Sequence, residues 1–124
     1  MITWLEKHRN ISLTITIFIM ALIFYLSNIP GNSIAISGKF NFSYIYHFSI
    51  FFLLNLFLFT TIKGKKNMNL KYFTISLLLS ISYSILDEIH QIFTPFRNPS
   101  IIDILTDSIG ILSSSVFYIN KSKK

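Results

Sequence analysis

The sequence predicts an all-α protein: a polytopic four-helix bundle that crosses a membrane and keeps both termini in the cytoplasm. Three observations support this prediction, namely an apolar composition, four long apolar blocks, and basic residues that gather between alternate blocks. Of the 124 residues, 52% are hydrophobic and only 13% are charged, about half the charged share of a typical soluble domain. A water-soluble enzyme is therefore excluded.

The composition also limits the available chemistry. The chain contains no cysteine, which excludes disulfides, thiolate metal sites, iron–sulfur clusters and a cysteine nucleophile. Any reaction must use carboxylates, histidines, arginine or hydroxyl groups. The formal net charge is +6, but in so apolar a chain the lysines at segment ends are read as topology signals. We therefore expect no nucleic-acid partner.

The first span is predicted at approximately residues 11–26, after the charged run Glu6-Lys7-His8-Arg9 and before Pro30 and Gly31, which end the helix. It reaches only about 24 Å at 1.5 Å per residue, so flanking turns or local bilayer thinning must complete the crossing. A cleaved signal peptide is the alternative. We disfavour it because the apolar run is long for one and its removal would leave an odd number of spans.

The other three blocks are each close to the length that a bilayer requires. These spans are predicted at residues 44–62, 70–86 and 101–119. The second contains His47 and Asn55, and the fourth contains Asp103 and Asp107. Five aromatic residues near the span ends are predicted to anchor the helices at the interfaces: Trp4, Tyr25, Tyr44, Tyr46 and Tyr118.

The basic residues predict the orientation. Nine of the 11 lie before the first span, between the second and third, or after the fourth: Lys7, Arg9, Lys63, Lys65, Lys66, Lys71, Lys121, Lys123 and Lys124. Only Lys39 and Arg97 fall in the other two loops, 27–43 and 87–100. By the positive-inside rule both termini are cytoplasmic and these two loops face outward from the cell membrane.

The acidic residues follow a different distribution. Asp87, Glu88, Asp103 and Asp107 fall within 21 consecutive positions near the outer face, and His47 enters the second span about one turn below that face. A carboxylate in a membrane helix costs about 2.5–3.5 kcal/mol near its centre. Such residues should therefore face protein or a water-filled cavity, and we predict an outward-facing polar pocket.

Helical spacing predicts which polar residues meet. If the third span continues as a helix past Asp87, that residue shares a face with His90 and Gln91, while Gln91 also neighbours Glu88. A proline-bounded turn follows, and its Ser100 is a suitable cap for the fourth helix.

The fourth span carries a polar and small-residue stripe at spacings of 4, 3 and 4: Asp103, Asp107, Gly110 and Ser114. The residues of the stripe are acidic at the outer end and small deeper in the membrane. Glycine and serine allow another helix backbone to approach closely. A tight helix crossing is therefore predicted below the polar pocket.

Each polar residue can also be explained without a binding or catalytic role. A single histidine near a membrane interface, such as His47, is more often a packing residue than a ligand or base. Asp87, Glu88 and Asp103 could mark the water boundary, whereas Asp107 lies deeper and is harder to explain in this way. The functional interpretation therefore depends on the cluster and not on any one member.

The run from Asp87 to Arg97, DEIHQIFTPFR, followed by Asp103, Asp107 and Gly110, resembles the signature of the VanZ-like membrane proteins. That signature has an Asp-Glu pair, a Gln three positions after the Glu, a Pro-x-Arg turn, and then an Asp, a polar residue and a Gly. Two shorter motifs are similar to the end of the family's first span and to the histidine of its second, namely SNIPG at 27–31 and His47-Phe48. The likeness covers roughly residues 20–115.

The resemblance implies a four-span bundle and, for the founding members, reduced susceptibility to the lipoglycopeptide teicoplanin. It supplies no agreed reaction. The chain departs from the family pattern at four positions, with Phe96 and Ser114 in place of Gly, Asp107 in place of Asn, and Tyr44 in place of Lys. The loss of that lysine and the gain of Asp107 make the pocket more acidic, which favours a cationic partner, a proton or a metal ion.

The first functional hypothesis is a cell-envelope protein whose pocket binds or modifies a lipid headgroup or a lipid-linked cell-wall component. Candidate catalytic residues are His47, Asp87, Glu88, Arg97 and Asp103. Candidate substrate-binding residues are Ser27, His90, Gln91 and Asp107.

Each candidate has an expected role. Arg97 would hold a phosphate by bidentate hydrogen bonds, and His47 would transfer protons. Asp87, Glu88 and Asp103 would orient the ligand or hold a divalent cation such as Mg²⁺.

The second hypothesis is a membrane-embedded hydrolase or transferase acting on a phospholipid or acyl lipid. The chain has no nucleophile motif, no HExxH and no glycine-rich phosphate loop, so an enzymatic role stays open. A small transporter or proton path lined by Asn55, Asp103 and Asp107 is disfavoured, since four spans without a repeat would require oligomerisation. The sequence leaves the oligomeric state open.

Overall fold

The structure, a computed structural model, describes residues 2–31 and 42–122, apart from the side chain of Ser122. All regular elements in these ranges are α-helices: α1 (Ile2–Lys7), α2 (Arg9–Ser27), α3 (Phe42–Lys63), α4 (Leu70–Gln91) and α5 (Ile101–Ser122). Four of them, α2 to α5, are long and apolar enough to cross a membrane. The prediction of an all-α chain with four candidate spans is confirmed.

The observed helices correct two details of the predicted boundaries. Helix α4, which corresponds to the third predicted span, does not end at residue 86 but continues to Gln91. Asp87 and Glu88 have hydrogen-bond partners in neighbouring elements and do not mark its end. A short helix, α1, precedes the first span and is separated from it at His8. Three lysines used to predict the orientation lie outside the described residues: Lys39, Lys123 and Lys124.

The four long helices alternate in direction, so the bundle has two chemically different ends. Ser27 at the end of α2 meets Asp87 near the end of α4, and His47 early in α3 meets Asp107 early in α5. We call this the acidic end. At the opposite end, the basic end, Lys63 at the end of α3 meets Glu6 of α1.

Helix α3 lies at the centre of the bundle and packs against α1, α2, α4 and α5. Its apolar residues lie on all sides, some buried against these neighbours and others, such as Ile45 and Leu53, exposed. Phe51 and Leu54 are buried in one core cluster with Ile23 of α2 and Ile111 of α5. The outward face of α2, including Phe18, is exposed and suits contact with lipid.

The close crossing predicted from the small-residue stripe is present between α5 and α3. A Cβ atom added to Gly110 would lie 2.4 Å from the carbonyl oxygen of Phe48, closer than real Cβ atoms approach. The backbones can therefore meet here only because residue 110 has no side chain.

Asn55 joins three helices below this crossing. Its amide nitrogen donates to the Ile111 carbonyl at 3.1 Å and to the Ser115 hydroxyl at 2.8 Å, and its amide oxygen accepts from the Ser80 hydroxyl at 3.1 Å. The side chain is fully buried. These contacts link α3, α4 and α5 and account for a polar residue at this depth.

Tyr118 corrects another sequence-based expectation. It was predicted to anchor the last span at the interface, but it is fully buried. Its ring stacks on Phe59 with centroids 4.2 Å apart, and its hydroxyl donates to Glu6. The reason is α1, whose buried Ile2 and Leu5 pack over the basic end and cover this tyrosine.

Candidate functional site

The centre of the acidic end is an imidazole held by a carboxylate. His47 is buried in the second turn of α3, and its Nδ1 lies 3.0 Å from Oδ1 of Asp107. The second oxygen of Asp107 accepts a 2.6 Å hydrogen bond from the hydroxyl of Ser84. A carboxylate can only accept, so in a neutral imidazole paired with it the proton is on Nδ1 and the lone pair is on Nε2.

That free nitrogen faces two further carboxylates. Nε2 of His47 lies 3.9 Å from Oδ2 of Asp103, and Glu88 completes a group whose three ligand atoms all lie within 4.8 Å of one another. We call His47, Glu88 and Asp103 the outer triad. One imidazole and two carboxylates form a donor set suited to a divalent cation.

The turn between α4 and α5 positions both carboxylates of the outer triad. Oε2 of Glu88 accepts from the backbone nitrogen of Ser100 at 2.7 Å, and Oε1 accepts from Gln91 at 3.1 Å. The Ser100 hydroxyl in turn accepts from the backbone nitrogen of Asp103 at 3.3 Å, which confirms the predicted cap of the last helix. Glu88 and Asp103 are thus fixed by the same few residues.

Asp87 turns toward α2 instead of joining the outer triad. It accepts a hydrogen bond from the Ser27 hydroxyl and a second, of 3.2 Å, from Gln91. The structure therefore brings together three predicted site residues, Ser27, Asp87 and Gln91, next to the triad. The predicted proximity of Gln91 to both acids of α4 is confirmed.

Arg97 contacts backbone carbonyls at the end of α2. Its Nε donates to the Ile29 carbonyl at 3.2 Å and its Nη2 to the Leu26 carbonyl at 3.3 Å. A cation is favourable at a helix C-terminus, where carbonyl groups lack helical partners. Within the described residues, no carboxylate lies within 4.0 Å of this guanidinium.

His90 is also directed to α2. Its Nε2 lies 3.2 Å from the side-chain oxygen of Asn28, and its ring lies 4.6 Å from that of Phe24. It shares the α2-facing side of α4 with Asp87, as the spacing predicts, but its hydrogen bond is to a residue outside the acidic cluster.

A model of the VanZ/LLP1 family matches residues 12–121 of the chain. The chain belongs to this family. The match extends over the four long helices and includes all the site residues described above. Together with the four apolar helices, it identifies a VanZ-like multi-pass membrane protein. No curated protein and no solved structure is significantly similar to the chain.

The end of α2 in this VanZ/LLP1 protein docks tightly onto the α4–α5 turn. The Thr94 hydroxyl donates to the Ser27 carbonyl at 3.0 Å, and the backbone nitrogen of Gly31 donates to the Pro95 carbonyl at 3.1 Å. A Cβ atom on Gly31 would lie 2.0 Å from the carbonyl oxygen of Phe96. The glycine that closes the SNIPG motif is therefore required by the close approach of two backbones.

Two residues of the site were missed by sequence reasoning. Ser84 holds Asp107, and its position four residues after the buried Ser80 is the signal that could have placed it on the same inner face. Tyr46 was predicted only as an interfacial anchor. Its ring lies 5.4 Å from that of His47 in an edge-on arrangement, and its buried hydroxyl has no hydrogen-bond partner among the residues that the structure describes.

Proposed function

We propose that this VanZ/LLP1 protein binds a divalent cation at the outer triad and uses it to hold the phosphate of a lipid headgroup or of a lipid-linked cell-wall component. The observation that carries the proposal is the convergence of His47 Nε2 with the carboxylates of Glu88 and Asp103. Mg²⁺ is typically held by one or two carboxylates together with substrate phosphates. The three ligands that the described residues provide leave coordination positions for such a phosphate.

The orienting carboxylate supports the same function. Metal-binding histidines usually donate their second ring nitrogen to a carboxylate, which fixes the ring and makes the ligand nitrogen more basic. Asp107 occupies this position, since it accepts from Nδ1 of His47 and leaves Nε2 free. We therefore assign Asp107 to positioning His47 and not to direct contact with the ligand.

Among the described residues, the charge balance favours a cation. Asp87, Glu88, Asp103 and Asp107 lie close to one imidazole, while Arg97 is bound to the carbonyl groups of Leu26 and Ile29 at the end of α2. Carboxylates without compensating charge are costly to bury, and they would repel a phosphate. A divalent cation offsets both effects and bridges the acidic site to an anionic ligand.

The exposure of the triad indicates the side from which a ligand arrives. The side chain of Asp103 is 15% exposed, compared with 3% for His47. Beside it on α5, Ile102 and Leu105 are exposed. An amphipathic ligand fits this surface, with its headgroup at Asp103 and its acyl chain along the apolar face of α5.

The proposed location is the cell membrane, with both termini cytoplasmic and the acidic end outward. The excess of basic residues around the opposite end supports this orientation. A protein that sequesters or alters a lipid of the outer leaflet would lower susceptibility to an acylated glycopeptide, in keeping with the teicoplanin phenotype of the family's founding members.

A second candidate function is hydrolysis or group transfer on the same lipid phosphate. The Asp107–His47 pair favours it, because a carboxylate-oriented imidazole is a suitable general base for an attacking water or alcohol. In this function the Nε2 lone pair of His47 accepts the proton of the nucleophile and does not bind a metal ion.

The test compares expression of wild type, Asp103→Asn and the matched control His8→Gln, which changes a histidine at the basic end, in a sensitive bacterial host. We expect the wild type and the control to lower susceptibility to teicoplanin more than to vancomycin, and Asp103→Asn to lose this effect. Lipid mass spectrometry separates the candidates, because a new lipid species lost in Asp103→Asn indicates an enzyme. Equal behaviour of all three proteins at equal membrane levels would contradict both.

A further inference from the structure

A basic cleft lies at the end of the bundle opposite the proposed cation site. It has a volume of 340 Å³ and is lined by Glu6, Lys7, Arg9, Lys63, Gly64, Lys65 and Lys66. The cleft is formed where the junction of α1 and α2 approaches the turn between α3 and α4. Its lining therefore comes from two distant parts of the chain.

The floor of the cleft is a fixed polar network. Nζ of Lys63 lies 2.9 Å from Oε1 of Glu6, and the Tyr118 hydroxyl donates to the same oxygen. The Lys63 side chain is only 7% exposed. Glu6, the only acid in the lining, is thus paired with the buried lysine and does not neutralise the other cations.

The rim carries those remaining charges. Lys7, Arg9, Lys65 and Lys66 are exposed and line the same opening, and the ammonium group of Lys66 lies 5.3 Å from the centroid of the Tyr72 ring. The Cδ atom of Arg9 lies 3.7 Å from the position that a Cβ atom added to Gly64 would occupy. The Arg9 side chain therefore extends across the α3–α4 turn. Cationic side chains around one small opening match the charge and the several oxygens of a phosphate group.

The positive-inside rule explains basic residues at this end but not their gathering around a cleft. Lys71 and Lys121 belong to the same end and are exposed, yet neither lines the cleft. They satisfy the topology rule equally well. The two groups of basic residues therefore offer a comparison within one molecule.

We propose that the cleft binds a phosphate-bearing anion. The level of the cleft, at the ends of the membrane-spanning helices, matches that of lipid headgroups, and an anionic phospholipid or a soluble phosphate would supply the same chemistry. This site is separate from the outer triad, since it shares no residue with it.

The test uses the full chain purified in detergent and a pair of double variants that remove equal charge. Arg9→Gln with Lys65→Gln alters the cleft, and Lys71→Gln with Lys121→Gln is the control. In one arm, native mass spectrometry measures the retention of phosphatidylglycerol against phosphatidylcholine. In the other arm, inorganic pyrophosphate is titrated without added lipid.

Retention of phosphatidylglycerol that is roughly tenfold weaker in the cleft variant, and unchanged in the control, supports a lipid headgroup; tenfold corresponds to the loss of one charge-assisted hydrogen bond. Pyrophosphate binding with the same variant sensitivity, and without lipid retention, supports a soluble phosphate. Equal losses in both double variants would show general charge attraction and overturn the proposal. So would the absence of any loss in the cleft variant, provided that all proteins keep the same melting temperature.

Discussion

At the scale of single residues, His47 is defined by what contacts its two ring nitrogens. Nδ1 is bonded to Asp107 and Nε2 faces Asp103. Where the family pattern commonly has Asn, this chain has a carboxylate that also accepts from Ser84. The aspartate can take both hydrogen bonds as an acceptor, so it fixes the imidazole more firmly than an amide would. The departure from the pattern is thus consistent with cation binding.

Phe96 is the second residue whose environment explains a departure from the family pattern. Its φ is 59°, in the left-handed region that favours glycine, and glycine is common there in the family. A left-handed residue with a side chain costs about 1–2 kcal/mol. The Phe96 side chain is 76% exposed, so few packing contacts offset that cost.

We therefore predict that Phe96→Gly raises the free energy of unfolding by about 0.5–1 kcal/mol, because the relief of strain exceeds the entropic cost of a glycine. Thermal unfolding in detergent followed by circular dichroism measures the change. Phe93→Gly is the control, since Phe93 is equally exposed but does not have a positive φ. A lower melting temperature for Phe96→Gly would contradict the prediction.

Sequence reasoning succeeded for residues that are neighbours on one helix and failed for those brought together by docking. The contacts of Gln91 with Asp87 and Glu88 follow from helical spacing alone. The contacts of Arg97 with carbonyls of α2 join residues about 70 positions apart. They depend on how the α4–α5 turn meets α2, which no local pattern encodes.

At the scale of elements, the hydrophobic blocks predict the spans because a bilayer requires a minimum apolar length. The third predicted span stops at residue 86, before a pair of acids that could either mark the water boundary or continue the helix. In the structure α4 continues through them to Gln91, and both acids are hydrogen-bonded within the bundle. Helix α1 was not predicted because it is short and contains charged residues. Its two buried apolar residues, Ile2 and Leu5, form no long apolar block.

The crossing of α3 and α5 leads to a prediction whose sign opposes helix propensity. In an exposed helix, Gly→Ala stabilises by about 1 kcal/mol. Gly110→Ala should instead destabilise by about 1–3 kcal/mol, since the added carbon would overlap the Phe48 backbone and force the helices apart. Ser108→Ala, at a half-buried position whose hydroxyl bonds only its own helix, should change the melting temperature little. A stabilised Gly110→Ala protein would show that the helices do not meet as described.

At the scale of the whole molecule, the bundle is polarised. Carboxylates collect where α2 and α4 end, and cations collect around the α3–α4 turn. This separation predicts the orientation through the positive-inside rule. It also predicts a site for a cation on one side of the membrane and a site for an anion on the other.

The absence of native cysteine permits a direct test of the orientation. Asn98 in the α4–α5 turn and Asn67 in the α3–α4 turn are both exposed. We predict that Asn98→Cys reacts with a membrane-impermeant maleimide in intact cells, whereas Asn67→Cys reacts only after permeabilisation. The reverse pattern would place the acidic end inside the cell and exclude action on the outer leaflet.

The most direct test of the account is Mn²⁺ binding to the full chain in nanodiscs of a zwitterionic lipid, followed by electron paramagnetic resonance. We predict one saturable ion per chain, loss of binding in His47→Gln and Asp103→Asn, and binding about 10- to 100-fold weaker in Asp107→Asn, which removes the orienting carboxylate. His90→Gln should bind as the wild type does, because His90 lies outside the triad. Failure of the wild type to bind Mn²⁺, or unchanged binding by His47→Gln, would contradict the account.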